Sequence, residues 1–453
     1  MNNAPIRDAR QLGAPKMLIL GLQHMFAMFG ATILVPILVQ GYGLPLNIQT
    51  TLFFAGIGTL FFHVCSKMKI PAFLGSSFAF LGGYSTMAQL ESGIYANMPA
   101  DEKLAYTCGG IVIAGLVYLI LAAIIKVAGV RKVMRFLPPV VTGPIIICIG
   151  LTLAPSAVSN AATCWPLALI ALATIIIFNV WGKGMFKIIP ILMGVVISYV
   201  AAIIMNACGV TVLDSNGVAQ PLLSFAAVAK ADWIGLPPFT LAKFDITSIL
   251  VMAPIALATM MEHIGDMSAI SATTEKNFIE DPGLHRTLIG DGLATTLSAL
   301  FGGPANTTYG ENTGVLVLSN VHDPRVVRLA AVFAIVLGFI PKMAEIIGSM
   351  PSAIVGGVSF ILYGMISAIG VRNIVENKVD FTNSRNLIIA AVILVCGLGF
   401  SSGLTFTVAG TSITLTGLAI AAVAGVVLNA ILPGNDYEFG VNPSGDQNRG
   451  IHR

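Results

Sequence analysis

Charged residues are scarce in this chain of 453 residues, since Asp, Glu, Lys and Arg make up only 10% of it and hydrophobic residues make up 56%. Soluble globular domains carry about 25% charged residues. A chain this long with so few charges cannot cover its own surface in water, which excludes a soluble enzyme, a disordered protein and a nucleic-acid-binding protein. With a net charge of +3 and a mean hydropathy of +0.88, the composition predicts a polytopic membrane protein.

Paired cysteines and enzyme motifs are also missing from the sequence. The six cysteines stand singly, without a CxxC pair, so we expect no structural disulfide, no metal site and no cofactor. The sequence contains no HExxH, GxSxG or P-loop pattern, which argues against a membrane enzyme. The first apolar run has no small-residue cleavage signature after it, so we expect no cleavable signal peptide.

What the chain does have is apolar segments of about 20 residues, the length that crosses a bilayer. We predict fourteen such spans, at 17–40, 49–66, 72–90, 105–128, 136–154, 165–182, 188–208, 246–271, 284–303, 306–320, 323–348, 351–372, 384–400 and 412–432. With this count, only Lys103, Lys230, Lys243 and Lys342 fall on one side of the membrane, and every other Lys and Arg falls on the opposite side. Because cytoplasmic loops collect Lys and Arg, both termini are predicted to be cytoplasmic.

Two of the fourteen segments are poor helices. They read PAFLGSSFAFLGG over 71–83 and GGPANTTYGENTGV over 302–315. When the fourteen spans are divided into two sets of seven, each of these segments is third in its half, and an odd-numbered repeat must be inverted in the membrane. Extended backbone survives at bilayer depth only where it is buried in protein or lines a polar cavity.

The predicted fold is therefore an all-α polytopic membrane protein, with fourteen transmembrane segments in two inverted seven-segment repeats and short extended strands in segments 3 and 10. The two strands could pair at the midplane, and the half-helix after each would point its positive N-terminal end at a small polar ligand. The alternative is that both segments are re-entrant or interfacial loops that bind no ligand.

Three carboxylates at bilayer depth are candidates for function. Glu262 and Asp266 are four residues apart in segment 8 and share a helix face, and Glu311 lies in segment 10. Because a charged side chain there costs at least about 2.5–3.5 kcal/mol, we predict substrate binding by Glu262 and Glu311. The same three carboxylates, Asp266 included, are the candidates for carrying a proton. The alternative is that these carboxylates are structural hydrogen-bond partners of the irregular backbone. Asp266 could also lie one helical turn further along, at the cytoplasmic end of the cavity.

Other residues at this depth are interpreted more conservatively. Asp291 is expected to make a helix-packing hydrogen bond, and His24 and His63 are expected to be core residues. Phe78 and Tyr309 flank the broken segments and could stack on a planar ligand. No Lys or Arg lies at midplane depth, which disfavours an anionic substrate and favours a neutral, planar molecule whose N–H groups donate to carboxylates.

Three stretches together carry a family resemblance. QHMFAMFGATILVP, KIPAFLGSSFAF and EDPGLHRTLIGDGLATTLSALFGGPANTTYGENTGV resemble the nucleobase–ascorbate transporter family, and within it the bacterial uracil permeases. The resemblance covers the chain from about residue 18 to residue 432. It implies a protein of the bacterial plasma membrane that works as a homodimer in the lipid bilayer.

The resemblance also implies a division of the chain and a set of site residues. A core domain would comprise 17–128 and 246–348, a gate domain would comprise 136–208 and 351–432, and uracil would lie between them. Glu262 and Glu311 would hydrogen-bond the pyrimidine ring. The backbone amides of Phe78 and Gly310 would meet its carbonyls. Tyr309 would border the pocket, Ala31 would line it, and Tyr363 would approach from the gate.

One residue departs from this pattern. Uracil permeases of this type typically read EHxGH, and this chain has Asp266 in place of the second histidine. Proton coupling could then move to Glu262 or Glu311, or Asp266 could itself carry the proton, and selectivity could move toward other nucleobases.

The sequence thus predicts uracil:proton symport by movement of core against gate, with uracil, a proton, lipid and a second copy of the chain as partners and no nucleic acid. One alternative is a proton symporter for a purine such as xanthine or urate. Another is an anion exchanger or channel on the same fold, which would need a cationic side chain where segments 3 and 10 meet.

Overall fold

The chain folds mainly into α-helices, as seen in a computed structural model that describes residues 5–213, 219–408, 411–434 and 437. The helices are α1 (Ala14–Gly41), α2 (Ile48–Cys65), α3 (Leu81–Ala88), α4 (Ala100–Ala128), α5 (Val130–Met134), α6 (Pro139–Leu151), α7 (Ala154–Ala162), α8 (Trp165–Trp181), α9 (Met185–Ile188), α10 (Pro190–Ala207), α11 (Ala226–Lys230), α12 (Ile246–Met252), α13 (Ile255–Thr274), α14 (Leu284–Leu300), α15 (Gly310–Ser319), α16 (Pro324–Gly338), α17 (Pro341–Gly348), α18 (Ser352–Glu376), α19 (Ser384–Gly399) and α20 (Gly417–Ile431).

Six short strands form three separate antiparallel pairs in the described residues. The strands are β1 (Leu74–Ser76), β2 (Thr211–Leu213), β3 (Ala219–Pro221), β4 (Asn306–Thr308), β5 (Leu404–Val408) and β6 (Thr411–Leu415). β2 pairs with β3 and β5 with β6, whereas β1 pairs with β4, more than 200 residues away in the chain. Short non-α helical turns cover Ala9–Leu12, Phe78–Phe80, Gly93–Tyr95 and Ile279–Gly283.

Several helices are long and apolar enough to cross a membrane, which confirms the predicted class. Over the described residues there are seven: α1, α2, α4, α10, α18 and the stretches Pro139–Ala162 and Ile246–Thr274, each of which joins two consecutive helices. An eighth candidate, α16 with α17, is bent by 85° at its break. The remaining predicted spans correspond to shorter helices or to the two strand-containing segments, so the count of fourteen stays a prediction.

Three predicted spans differ from the observed elements. Segment 246–271 is two helices, α12 and α13, separated just before Ile255 at Pro254, which has no N–H to continue the ladder. Segment 323–348 breaks before Pro341, where proline disfavours a helical preceding residue. Segment 412–432 begins inside β6, and α20 starts only at Gly417, after Thr416 Oγ1 accepts the Ala419 N–H at 3.3 Å.

The loop over 209–245 contains the β2–β3 hairpin and the single turn α11. Its DSNG sequence, at 214–217, lies outside the described residues. Beyond α11, Trp233, Ile234 and Leu236 are 72%, 82% and 78% exposed. These large apolar side chains suit the membrane surface, where we predict the loop to lie.

The helices pack in two groups. In one group α4 and α2 both pack on α14, α2 also packs on α16, and α16 packs on α1. In the other group α18 packs on α6, α7 and α8, α8 packs on α10, and α19 packs on α6 and α20. Among the largest fully buried side chains are Phe62 of α2, Phe73 just before β1 and Tyr84 of α3.

Candidate functional site

The two anomalous segments meet in the interior as a two-stranded ribbon, the β1–β4 pair. Its register pairs Leu74 with Thr308, Gly75 with Thr307 and Ser76 with Asn306. The pairing continues beyond both ends: the Tyr309 N–H donates to the Phe73 carbonyl at 3.0 Å, and the Ser77 N–H donates to the Ala305 carbonyl at 2.9 Å. All six strand residues are buried, so the backbone that would be costly in lipid is paired inside the protein.

Asn306 fixes the second strand between two helices. Its Nδ2 donates to the Phe54 carbonyl of α2 at 3.2 Å and lies 3.4 Å from the Ala294 carbonyl of α14. Gly58 of α2 makes the approach possible, because a Cβ there would lie 2.3 Å from Asn306 Nδ2. The ribbon therefore has a defined position relative to α2 and α14.

A short helix follows each strand of the ribbon. β4 is followed by Tyr309, which has extended backbone, and then by α15 from Gly310. β1 is followed by the turn Phe78–Phe80 and then by α3. The first N–H groups of a helix have no partner within the helix, and the N-terminal end carries a partial positive charge. The N-terminal ends of α3 and α15 consequently both lie close behind the ribbon in the chain.

The three candidate carboxylates lie together around this ribbon. Asp266 Oδ2 accepts a hydrogen bond from Thr308 Oγ1 of β4 at 2.8 Å. Glu262 is one turn earlier on α13, and its buried Oε2 has no hydrogen-bond partner in the structure. Glu311 is in the first turn of α15. A small cavity of about 30 Å³ contacts all three, and its lining residues are Phe78, Ile146, Glu262, Asp266, Thr307, Thr308, Tyr309, Gly310, Glu311, Ile366 and Ile369.

The two aromatic candidates take different positions. Tyr309 donates its hydroxyl to the Ser76 carbonyl at 2.9 Å, so its ring lies across the ribbon. Phe78 meets Tyr363 of α18 edge to face, with ring centroids 5.9 Å apart. Tyr363 therefore approaches Phe78 from the second helix group without lining the small cavity.

Ala31 is the one predicted lining residue that the structure places elsewhere. It is fully buried in α1 and lines neither the small cavity nor the larger one described next. Its methyl group is part of the packed core, so a contact between Ala31 and a ligand has no support in this conformation.

A larger cavity of about 470 Å³ adjoins the small one. The two share Ile146, Asp266, Gly310, Glu311, Ile366 and Ile369 as walls. The larger cavity also reaches Lys187 of α9 and Arg372 near the C-terminal end of α18, two residues on the side of the membrane that the sequence predicts to be cytoplasmic. The larger cavity therefore connects the carboxylates with these two basic residues.

The histidines and Asp291 make internal contacts. Asn312 Nδ2 donates to the His24 carbonyl at 3.1 Å, and His63 Nε2 lies 2.9 Å from the Ala72 carbonyl. His263 Nδ1 lies 2.9 Å from Asp291 Oδ2, and both side chains are fully buried between α13 and α14. Within the described part of the chain no group of three or more His, Cys, Asp or Glu residues is arranged to hold a metal ion.

Comparison with known proteins identifies the family. The family model described as "Permease family" matches residues 15–406. The chain belongs to this permease family. Relatives in it include the uracil permease of Bacillus caldolyticus, 41% identical over 444 residues that cover 95% of this chain and 94% of that protein. The uracil permease of Bacillus subtilis (strain 168) is 40% identical, with 91% of each chain covered.

Other relatives and solved structures extend the comparison. The putative pyrimidine permease RutG of Escherichia coli (strain K12) is 36% identical, with 91% of this chain and 89% of that protein covered. The transmembrane domain of the cyanobacterial bicarbonate transporter BicA has a TM-score of 0.60 at 16% identity, covering 92% of this chain and 99% of that one. Murine Slc26a9 in its inward-facing state has a TM-score of 0.62 at 11% identity, covering 92% and 67%. Because the sequence identities to these solved structures are low, the comparison shows that the permease shares their fold and nothing about its substrate.

Sequence reasoning missed four polar residues of the site in this permease. Thr308 holds Asp266, Asn306 ties β4 to α2 and α14, and Thr59 and Thr295 contact the ribbon from those two helices. Threonine is common in membrane helices, so its presence alone gives no signal. The repeat symmetry could have indicated these two threonines, because Thr59 and Thr295 lie in the two helices that directly precede the broken segments.

Proposed function

We propose that this permease takes up uracil together with a proton across the plasma membrane of a bacterium. The observation that carries the proposal is the cavity beside the ribbon, where three carboxyl groups and the N-terminal end of α15 meet and where Lys and Arg are absent from the lining. The names of the relatives, uracil and pyrimidine permeases, indicate the same class of substrate.

The chemistry of the cavity suits a pyrimidine ring. Uracil has two ring N–H groups, which would donate to Glu262 and Glu311, and two carbonyl oxygens, which would accept from backbone N–H groups at Phe78 and Gly310. Glu262 Oε2 is buried and has no hydrogen-bond partner within the protein, and a buried acceptor of this kind gains when a ligand donates to it. Tyr309 borders the ring, and Phe78 with Tyr363 closes one side.

The proton is carried by the same cluster in this proposal. The small cavity has no cationic lining residue that would balance a carboxylate, and binding a proton would neutralise one. Asp266, Glu262 and Glu311 are the candidates, and Asp266 has a direct link to the ribbon through Thr308. Neutralising a buried charge before the core moves past apolar surroundings lowers the barrier to that movement.

The moving parts are the two helix groups. The proposed core comprises 17–128 and 246–348, and the proposed gate comprises 136–208 and 351–432, in agreement with which helices pack on one another. Ile146, Ile366 and Ile369 of the gate form one wall of the small cavity. Since about 30 Å³ holds only about two water molecules, the gate wall must move away from the core before a ring can enter.

Two further features complete the proposal. Fourteen spans in two inverted repeats place both termini in the cytoplasm, and two copies of the chain pair in the bilayer. The charge of the loops and the matched positions of β1 and β4 support the topology.

Purine transport and anion exchange remain as alternatives. The departure at Asp266 keeps a xanthine or urate symporter in consideration, and excess xanthine competing with labelled uracil would reveal it. Anion exchange is suggested by the fold of the bicarbonate transporter. The three carboxyl groups around the small cavity oppose it, because they repel an anion.

Uptake of labelled uracil into proteoliposomes with an imposed pH gradient tests the proposal. We expect wild-type protein to accumulate uracil, and we expect Glu262→Gln and Glu311→Gln to weaken uracil binding by about ten-fold or more, because each loses a charged acceptor. Glu345→Gln, at an exposed position of α17, is the matched control and should behave as wild type. Unchanged uracil binding in both site variants would refute the assignment.

A further inference from the structure

Each strand of the ribbon is contacted at its first residue by a threonine from the helix that precedes it. Thr59 of α2 accepts the Leu74 N–H at 2.9 Å, and its hydroxyl lies 3.2 Å from the Leu74 carbonyl and 2.7 Å from the Ala55 carbonyl of its own helix. Thr295 of α14 accepts the Asn306 N–H at 3.1 Å and donates to the Asn306 carbonyl at 2.9 Å. Both threonine side chains are buried.

The ladder pattern explains why these two residues need outside partners. Phe73 bonds to Tyr309, and Ser77 bonds to Ala305. Hydrogen-bonded and non-hydrogen-bonded pairs alternate in an antiparallel ladder. Leu74 and Asn306 thus occupy non-hydrogen-bonded positions, where N–H and C=O groups point away from the partner strand. At bilayer depth those groups would be unpaired without the two hydroxyls.

The two contacts lie at opposite ends of the ribbon. Leu74 is opposite Thr308, and Asn306 is opposite Ser76. Thr59 therefore holds the end at which Thr308 bonds Asp266, and Thr295 holds the end at which Ser76 receives the Tyr309 hydroxyl. α2 and α14 occupy matching places in the two predicted repeats, so the arrangement has the same inverted symmetry as the strands themselves.

We infer that Thr59 and Thr295 are paired positioning residues that clamp the two ends of the ribbon and thereby set where Asp266 and the N–H groups of the site lie. Neither threonine lines the small cavity, so each acts through the backbone it holds. The inference deepens the proposed function, because it names residues that tune the same site. A three-residue ribbon is too short to be stable alone, which is why outside clamps matter.

Isosteric substitutions test the clamp. Thr59→Val and Thr295→Val keep the shape of the side chain and remove the hydroxyl, whereas Thr59→Ser and Thr295→Ser keep the hydroxyl. Thr51→Val and Thr287→Val are matched controls, since these buried threonines lie in the same two helices and donate to the carbonyls of Asn47, the N-cap of α2, and of Leu284 in α14. Each variant is purified, its thermal unfolding is recorded, and its uracil affinity is measured by titration.

The clamp predicts a particular pattern of results. Both clamp valine variants should bind uracil about ten-fold or more weakly, the serine variants should recover most of the affinity, and the control valines should stay within about two-fold of wild type. Hydrogen–deuterium exchange of peptides covering 72–80 and 303–312 should accelerate in the clamp valine variants only. Such exchange reports the opening of backbone hydrogen bonds without reference to substrate.

The two readouts separate this inference from the proposed function. If folded clamp valine variants show wild-type exchange in both peptides and wild-type affinity, the clamp is refuted. If exchange accelerates as expected but wild-type protein itself binds no uracil, the clamp stands and the proposed substrate is wrong. Equal losses in the control and clamp valine variants would show general destabilisation and would also overturn the inference.

Discussion

Gly75, at the middle of β1, is required by the side chain that crosses it. A Cβ at this position would lie 2.4 Å from Tyr309 Cε2 and 2.7 Å from Thr32 Oγ1. Tyr309 cannot move away freely, because its hydroxyl is bonded to the Ser76 carbonyl. We expect Gly75→Ala to destabilise the protein by about 1–3 kcal/mol, the usual cost of overpacking, and to weaken uracil binding.

Gly82 provides the control for this prediction. It lies in the first turn of α3, and an added Cβ would meet nothing within 4 Å. Gly82→Ala should therefore leave the unfolding temperature and the uracil affinity unchanged, or raise the former slightly because alanine favours a helix. Equal behaviour of the two alanine variants in thermal unfolding and uracil titration would show that the Tyr309 ring does not need this space.

Asp266 tests which carboxyl group carries the proton. In Asp266→Asn the side-chain oxygen can still accept the Thr308 hydroxyl, but the amide cannot take up a proton. We expect labelled uracil to exchange across proteoliposomes at near wild-type rates, because exchange needs binding and movement only. Accumulation driven by a pH gradient should be lost. Gradient-driven accumulation that persists in Asp266→Asn would place the proton on Glu262 or Glu311.

Among single residues, the charged ones could be predicted from sequence and the threonines could not. Glu262, Asp266 and Glu311 are noticeable because carboxylates are rare and costly at bilayer depth. Thr59, Thr295 and the other hydroxyl residues carry little cost in a helix, where they can bond to a preceding carbonyl. Their role depends on which strand lies beside them, and that is a property of the tertiary structure.

The ribbon was predictable as an element because its two segments contain helix-breaking residues at places where the hydropathy of the chain requires a membrane span. Pro71, Pro304 and the neighbouring glycines cannot sustain a helix where the hydropathy requires a span, and the matched positions in two halves suggested the pairing. The break at Pro254 and the β5–β6 hairpin were missed. Pro254 lies inside the predicted span 246–271, and β6 overlaps the start of the predicted span 412–432, so hydropathy alone could not reveal either feature.

Residues 5–12, which we call the N-terminal strap, are hydrogen-bonded to residues 321–325, which follow α15. Ile6 pairs with Val321, the Ala9 N–H donates to Asp323 Oδ2 at 2.7 Å, and Arg325 Nη1 donates to Asp8 Oδ1 at 2.8 Å. Because α15 carries Gly310 and Glu311 at its other end, the strap anchors the far end of the helix that supplies the proposed binding groups.

We expect Asp8→Asn to loosen this strap. The hydrogen bond from Arg10 lowers the pKa of Asp8 to about 2. The stabilisation that ionised Asp8 gives the folded strap is therefore fully present above the unfolded pKa of about 3.9, and it is lost only as the pH falls through about 2. We expect trypsin to cleave at Arg10 faster in Asp8→Asn than in the wild-type protein. The ratio of the two cleavage rates should be the same from pH 6 to pH 8. Asp380→Asn, on a loop after α18, is the control and should leave this cleavage rate unchanged.

The result that would contradict this role is specific. Wild-type and Asp8→Asn proteins cut at Arg10 at the same rate would show that the aspartate does not hold the strap. A difference in rate that disappeared at pH 6 would also contradict it, because no protonation of Asp8 is expected in that range.

At the scale of the whole molecule, the proposed movement of core against gate requires certain contacts to break. Gly30 of α1, in the proposed core, packs on Ile191 of α10, in the proposed gate: a Cβ on Gly30 would lie 3.5 Å from the Ile191 Cβ and 2.5 Å from its Cγ2. Glycine allows this close approach without fixing the two helices together. The contact therefore identifies a place where a covalent link should stop transport.

The double variant Gly30→Cys/Ile191→Cys tests this movement. A Cβ–Cβ distance of 3.5 Å lies within the range that a disulfide accepts, and replacing isoleucine removes the conflict with Cγ2. After oxidation we expect uracil uptake into proteoliposomes to stop, and a reductant should restore it. Each single-cysteine variant and the oxidised wild-type protein, which has six cysteines of its own, are the controls. If the disulfide forms, as mass spectrometry of the linked peptides would show, and uptake continues at the wild-type rate, then α1 and α10 do not separate during transport. The boundary between moving parts would then have to lie elsewhere.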